Sequence, residues 1–332
     1  MLRRSLRDLR PTRRGAAVAA IAGTAFLLGA TTGARSLNAI VVPALVALSA
    51  AAAQLARTEA PTVERTVPEP GFPEEQRTVT VSVDAEVPCR VTDGVASGLV
   101  ADGATAAVGH GGEFEYSVTL RERGEHDLGP ASCRLTDSLG LFAVELESRT
   151  AATVLVYPDA YEIDSEQLAS LVRRVRSDER TSFDRLREFS RGDTMRDIHW
   201  RASAKRGTDE FVVAEYDSFA AVDAVTVIGE AALGSADAMA STVASVVTFL
   251  HDAGVPVTVV VPGGECVAHP GETTTVLRLL ALTPGGYLAA DRRQAADARV
   301  VGEDGRATVS LATGDVAFDG IAGDRRGPEV VG

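Results

Sequence analysis

The sequence predicts a two-helix transmembrane anchor and then an α+β soluble region, in which an immunoglobulin-like β-sandwich precedes an α/β domain. Three observations predict this order: two long uncharged stretches near the N-terminus, short alternating strands in the middle, and alternating helices and strands toward the C-terminus. The predicted boundaries are 1–57 for the anchor, 58–76 for a linker, 77–158 for the sandwich, 159–217 for a helix and a charged segment, 218–312 for the α/β region, and 313–332 for a flexible tail.

The anchor rests on charge and length. Residues 15–34 and 36–56 contain no charged side chain, and only Arg35 separates them. A helix of about 20 residues crosses the hydrocarbon core of a bilayer. Six arginines precede the first stretch, so the positive-inside rule places the N-terminus and the soluble region in the cytoplasm. The expected location is the cell membrane, with two spans that contact the lipid bilayer through residues 15–56.

A twin-arginine export signal at residues 12–14 is the alternative to this anchor. A cleaved signal leaves the second uncharged stretch unexplained, so the helical hairpin is favoured.

Composition excludes some partners. The formal net charge is −13, which disfavours binding to the phosphates of nucleic acids. Lys205 is the only lysine, a pattern typical of salt-adapted or GC-rich proteomes. The three cysteines show no C-x-x-C spacing, which argues against a disulfide framework and a structural zinc site.

The middle of the chain has the two-residue period of half-buried strands. In residues 77–86 this period puts Val79, Val81 and Val83 on one face, and residues 113–120 repeat it with aromatic side chains. Four prolines in residues 58–76 indicate a linker before these strands. A sandwich of this kind serves structural or partner-binding roles.

After residue 159 the period becomes helical. Helices are predicted at 164–176, 235–253 and 273–282, and strands at 224–228, 255–261 and 307–311. The near-continuous apolar runs of the first two strands are typical of buried parallel strands. This order predicts a parallel sheet with flanking helices.

A dense run of opposite charges at residues 183–217 surrounds the only tryptophan, Trp200. Arginine and carboxylate side chains at this density form ion-pair networks. Three interpretations stay open: a structural clamp, a partner-binding surface, and a catalytic pocket that uses His199 as a base. No catalytic residue is assigned. The residues predicted to form the clamp or the surface are Arg187, Glu188, Gly192, Asp193, Arg196, Asp197, His199, Trp200, Arg201, Ser203, Lys205 and Glu215.

Two motifs resemble a known family. The first comprises 186–189 (LREF), Gly-Asp at 192–193, 196–200 (RDIHW) and 202–204 (ASA). The second comprises 123–126 (RGEH), 128–130 (LGP) and 137–142 (DSLGLF), with Ser138 where proline is usual. Together with the two spans, these motifs resemble the domain-of-unknown-function 58 family over about residues 10–265.

The resemblance implies that the α/β region is von Willebrand factor A-like. Domains of that type bind Mg²⁺ through an Asp-x-Ser-x-Ser loop after the first strand, but the corresponding residues 229–233 here are GEAAL. We therefore expect no metal at this position, and no cofactor is predicted.

The resemblance also implies partners: a MoxR-type AAA+ ATPase and other membrane proteins of the same gene cluster. The leading hypothesis is a membrane-anchored, non-enzymatic adaptor that helps such an ATPase to assemble or mature other proteins. One alternative is an exported cell-surface binding protein, and another is a hydrolase that uses His199 and Asp193.

Overall fold

A computed structural model describes residues 9–181, 185–188, 212–215 and 224–326 of the chain. The chain divides into two compact units, Met1–Val156 and Tyr157–Gly332. The first unit contains the helical hairpin and the β-sandwich, and the second contains the α/β sheet.

The hairpin consists of α1 (Arg13–Thr32) and α2 (Asn38–Arg57), joined by a turn with one short 3₁₀ segment. The Thr12 hydroxyl accepts a hydrogen bond from the Gly15 N–H and caps α1. Gly33 ends α1 with a φ of 72°, a conformation that costs glycine little. Both helices are long and apolar enough to cross a membrane, so the prediction of two apolar N-terminal helices is confirmed.

The sandwich consists of short strands from both sides of the hairpin. They are β1 (Arg10–Pro11), β2 (Thr62–Arg65), β3 (Gln76–Asp84), β4 (Cys89–Thr92), β5 (Leu99–Asp102), β6 (Thr105–Val108), β7 (Gly112–Leu120), β8 (Gly124–Leu128), β9 (Ser132–Thr136), β10 (Phe142–Glu147) and β11 (Ala152–Val156). One sheet has the order β1-β10-β9-β4-β6, a second has the order β2-β3-β7-β5, and β8 pairs with β11. The prediction of a β-rich middle region is confirmed.

The two larger sheets share one apolar core. The alternation in β3 buries Val79, Val81 and Val83, and Val91 and Leu135 reach the same core from the other sheet. Full burial of such side chains contributes about 1.5–3 kcal/mol each and is the main term that stabilises the sandwich.

The segment predicted as a linker, 58–76, is part of this sandwich, and that prediction is wrong. Thr62–Arg65 pairs with β3, and Val63 is buried in the core. Its prolines flank the strand rather than interrupt it, since Pro61 precedes β2 and Pro68 follows it.

The second unit contains a six-stranded sheet with flanking helices. Its elements are β12 (Ala160–Ile163), α3 (Glu166–Thr181), β13 (Arg185–Glu188), β14 (Val212–Glu215), β15 (Val225–Ala231), α4 (Ala236–Asp252), β16 (Val257–Val261), β17 (Gly264–Ala268), α5 (Thr273–Leu282), α6 (Ala290–Gln294), β18 (Ala298–Glu303), β19 (Arg306–Leu311), β20 (Gly314–Ala317) and β21 (Ala322–Arg326). The sheet order is β17-β16-β15-β18-β19-β20, with β15 parallel to both β16 and β18.

Two expectations for this unit need correction. The strand predicted at 307–311 exists, but it runs antiparallel to β18, a strand that the sequence did not reveal. The predicted flexible tail is structured as far as Arg326, because β20 extends the sheet and β21 pairs with β12. Gly314, Asp315, Gly323 and Asp324 lie in these strands, and Asp319 and Gly320 lie in the 3₁₀ turn between them, an arrangement that composition alone does not distinguish from a flexible tail.

Candidate functional site

The charged segment that the sequence singled out lies mostly outside the described residues. This applies to Gly192, Asp193, Arg196, Asp197, His199, Trp200, Arg201, Ser203 and Lys205. Arg187 and Glu188 lie in β13, and Glu215 lies in β14.

The two strands are antiparallel, with Glu188 opposite Val212 and Arg185 opposite Glu215. The start and the end of the charged segment are therefore neighbours. Its interpretations as a structural clamp, a partner-binding surface or a catalytic pocket stay predictions.

A second charged group lies at the carboxyl end of β15. Glu230 occupies the sheet face opposite α4, because the neighbouring Gly229 faces that helix, where a Cβ atom would come within 2.6 Å of the Met239 sulfur. Strand β15 lies between β16 and β18. The chain leaves β15 toward β16 on one side and later returns to β18 on the other side, so the strand order reverses at β15. In open α/β sheets, ligands bind at such a switch point, outside the carboxyl ends of the strands.

Each oxygen of the buried Glu230 carboxylate accepts two hydrogen bonds. Oε1 accepts from the Leu288 backbone N–H at 2.6 Å and from Arg293 Nε at 2.7 Å. Oε2 accepts from Arg299 Nε at 2.9 Å and Nη2 at 2.7 Å, the two-point geometry that guanidinium groups favour. Arg293 also lies over the Tyr287 ring, 5.8 Å from its centroid.

The Glu230–Arg293–Arg299 cluster carries a net charge of about +1 when all three groups are ionised. Burial raises the pKa of Glu230, but the hydrogen bonds from the Leu288 N–H, Arg299 and Arg293 outweigh it and lower the pKa. The acceptor positions of this carboxylate are occupied by N–H donors. Among the described residues, no group of three or more His, Cys, Asp or Glu side chains is placed to hold a metal ion.

The sequence did not reveal this cluster, because its arginines lie 63 and 69 positions after Glu230. One signal was present: Glu230 is the only charged residue in the apolar run of β15. A charged residue that is buried in a strand requires a partner.

The sandwich contains a second arginine–carboxylate cluster, which links its two sheets. Arg65 Nη2 donates to Asp93 Oδ1 at 2.6 Å, and Arg65 Nε donates to Oδ2 at 2.8 Å. The Tyr116 hydroxyl donates to Asp93 Oδ2 at 2.9 Å, and Arg65 Nη1 donates to the Thr150 carbonyl at 2.8 Å. Burial and the hydrogen bond to Asp93 raise the pKa of Tyr116. The geometry is that of a structural clamp.

The three cysteines are free thiols in the structure. Cys89 and Cys133 lie on neighbouring strands in the sandwich core. The contact with Cys133 and burial raise the pKa of Cys89. Cys266 is partly exposed on β17, and burial raises its pKa as well.

The hairpin and the sandwich meet at a third feature, which we call the anchor joint: Thr12, Gly15, Gln54 and Leu55 of the hairpin, with the loop 137–142. The Thr12 N–H donates to the Leu141 carbonyl at 2.9 Å, and β1 pairs with β10. Gly15 packs so closely that a Cβ atom there would overlap the Leu141 carbonyl oxygen.

The other helix contributes equally to the anchor joint. Gln54 Nε2 donates to the Ser138 hydroxyl at 2.9 Å, and its Oε1 accepts from the Ser138 N–H at 3.2 Å. Leu55 is fully buried in the sandwich core. The loop is shaped by Asp137, which accepts the Leu139 and Phe142 N–H groups at 2.9 and 2.6 Å. The 137–142 part of the second sequence motif therefore forms the contact with the hairpin.

No family model matches the chain, and no curated protein matches it. Among solved structures it is similar to WR4, a C. elegans MSP family member, at 8% identity over 28% of this chain and 94% of that one, with a TM-score of 0.21. It is also similar to the E. coli chaperone DraB, at 11% identity over 32% of this chain and 65% of that one, with a TM-score of 0.22. A third similarity is to the Salmonella enterica SafA pilin in complex with the SafB chaperone, at 12% identity over 41% and 66% of the two chains, with a TM-score of 0.23.

Proposed function

We propose that this protein is a membrane-anchored, non-enzymatic adaptor. Its soluble part holds a MoxR-type AAA+ ATPase at the membrane, where the ATPase assembles or matures other membrane proteins. In this proposal the α/β unit is a von Willebrand factor A-like scaffold, and the charged segment 183–217 supplies the docking surface through its residues between Arg187 and Glu215.

The anchor joint is the observation that carries the proposal. Strand pairing, the two hydrogen bonds between Gln54 and Ser138, and the burial of Leu55 fix the sandwich to the hairpin. A flexible tether provides only proximity, whereas this joint fixes the orientation of the sandwich as well. This defined position of the sandwich on the hairpin supports a scaffolding role at the membrane.

The joint also supports a cytoplasmic location for the soluble part. It lies where α1 begins and α2 ends, next to Arg13, Arg14 and Arg57. The turn at the opposite end of the hairpin carries only Arg35. By the positive-inside rule, the arginine-rich end faces the cytoplasm, which is where ATP is available to an AAA+ enzyme.

Co-purification tests the partner. The full chain in detergent is mixed with the MoxR-type ATPase encoded nearby, with ATP, with ADP and without nucleotide. We expect nucleotide-dependent association, which Arg196→Ala weakens and the control Arg306→Ala, on an exposed hairpin of the sheet, leaves unchanged. Lack of nucleotide-dependent association with the wild-type chain would count against the proposal.

Thiol labelling tests the orientation. Cys266 is the partly exposed cysteine of the three. An impermeant maleimide applied to intact cells is expected to leave Cys266 unlabelled and to label it after permeabilisation. Labelling in intact cells would favour the exported surface protein instead.

A further inference from the structure

The loop of the anchor joint lies level with the ends of the two membrane helices. Gln54, which binds Ser138, is three residues before the end of α2 at Arg57. At 1.5 Å of rise per residue, this contact lies about 4.5 Å inside the helix end. The Leu141 carbonyl contacts the first turn of α1. In the proposed anchor, the surface of the bilayer therefore lies near this loop.

The tip of the loop is apolar. Leu139 is 55% exposed, although its backbone N–H is fixed by the Asp137 carboxylate. Its neighbour Ser138 is held by Gln54, so the tip cannot turn inward without the loss of these bonds. Because the backbone around Leu139 is already fixed, lipid can cover this side chain without further ordering of the loop. Burial of the apolar side chain in the membrane interface is then favourable.

Several basic side chains lie at the same end of the hairpin as this tip. Arg10, Arg13, Arg14 and Arg57 are exposed at the same end of the hairpin. Arg14 reaches Gly140, where an added Cβ atom would lie 3.7 Å from its Nη1 atom. The chain as a whole carries a formal net charge of −13, which an anionic surface repels. The arginines at this end of the hairpin offset that repulsion locally.

We propose that the loop 137–142 is a membrane-interface contact: Leu139 inserts at the boundary of headgroups and acyl chains, and Arg13 and Arg14 bind the phosphates of anionic lipids. The proposal rests on the membrane anchoring proposed above. In this proposal the loop sets the depth of the sandwich, and the arginines of α1 select the lipids around the anchor. Each arginine near an anionic surface strengthens the attraction by up to about fivefold at low ionic strength.

Fluorescence quenching in liposomes tests the insertion. The full chain is reconstituted in phosphatidylcholine with about 30% phosphatidylglycerol, a fraction that makes the surface anionic. Leu139→Trp is compared with the matched variant Leu233→Trp, whose site is fully exposed in the other unit. Trp200 contributes the same background to both. We expect quenching of Leu139→Trp, but not of Leu233→Trp, by lipids brominated near the headgroup end of the acyl chain.

The lipid preference is measured with the same variant. We expect brominated phosphatidylglycerol to quench Leu139→Trp more than brominated phosphatidylcholine does. Adding Arg13→Gln and Arg14→Gln removes this preference, and adding Arg306→Gln retains it. Equal quenching by the two lipids in the parent variant would overturn the lipid preference.

The two proposals fail in different ways. If the wild-type chain does not float with carbonate-washed liposomes, the membrane anchor itself is wrong. If the chain floats and aqueous iodide quenches Leu139→Trp as strongly as Leu233→Trp, the anchor stands and the interface contact is refuted.

Discussion

The two arginine–carboxylate clusters have the same chemistry but differ in how much water reaches them. In the sandwich, the Arg65 and Asp93 side chains are 1% and 0% exposed. In the α/β unit, the Glu230 side chain is 0% exposed, but those of Arg293 and Arg299 are 36% and 34% exposed. Water can therefore solvate the cations of the second cluster but neither ion of the first. The access of water to the ion left behind, rather than the number of hydrogen bonds, decides the cost of breaking each cluster.

The largest effect is expected for Arg65→Ala. This change leaves the Asp93 carboxylate buried with only Tyr116 as a donor side chain among its described contacts, and it should destabilise the sandwich by about 3–5 kcal/mol. The matched control is Arg121→Ala, whose ion pair with Glu74 is about half exposed and is worth about 0–1 kcal/mol. Hydrogen exchange of the β7 and β9 amides in the detergent-solubilised chain measures the difference. Equal protection in the two variants would remove the distinction between buried and exposed pairs.

A smaller loss is expected for Glu230→Gln. The amide keeps the shape but loses the charge, and the two arginines left behind are partly hydrated. The expected cost is about 1.5–3 kcal/mol, the range for hydrogen bonds to charged groups. Glu265→Gln is the control, because its pair with Arg292 is more than half exposed. Hydrogen exchange of β15 and β18 measures the effect, and a loss as large as that of Arg65→Ala would contradict the role of water.

The pH dependence gives the smallest effect. The pKa of Glu230 lies below its ordinary value of 4.5, so its contribution is complete above that value and is lost as the pH falls through the folded-state pKa. The stability difference between wild type and Glu230→Gln should therefore shrink between about pH 7 and about pH 3. Thermal unfolding of the α/β unit, followed by circular dichroism, measures this difference. A constant difference over this range would show that the charge of Glu230 is not what the arginines stabilise.

Local patterns in the sequence were sufficient for part of the fold. The hairpin depends only on length and charge, and the alternation around Val79 and Tyr116 is complete within single strands. Strand β2 was missed because its four residues carry almost no period of their own. Pairing with β3 and the burial of Val63 define it, and both are tertiary effects.

The sites were harder to predict for the same reason. The charged segment is conspicuous because its charges are close in sequence, whereas Arg65 and Asp93 lie 28 positions apart. A local pattern cannot report a pair that the fold creates. The anchor joint is intermediate, since its loop was noticed as a motif but its contact with Gln54 spans 84 positions.

The pairing of β1 with β10 has a consequence for the synthesis of the protein. Residues 10–11 leave the ribosome on the order of ten seconds before β10 does. In the proposed membrane anchor, the hairpin would be inserted during this interval, and α2 would position Leu55, which belongs to the sandwich core, before that core exists. In that proposal, the inserted anchor serves as a folding template for the domain that follows. Without the docked hairpin, Phe142 and Ala143 of β10 lose their strand partners and the core lacks Leu55, and both changes favour opening and proteolysis.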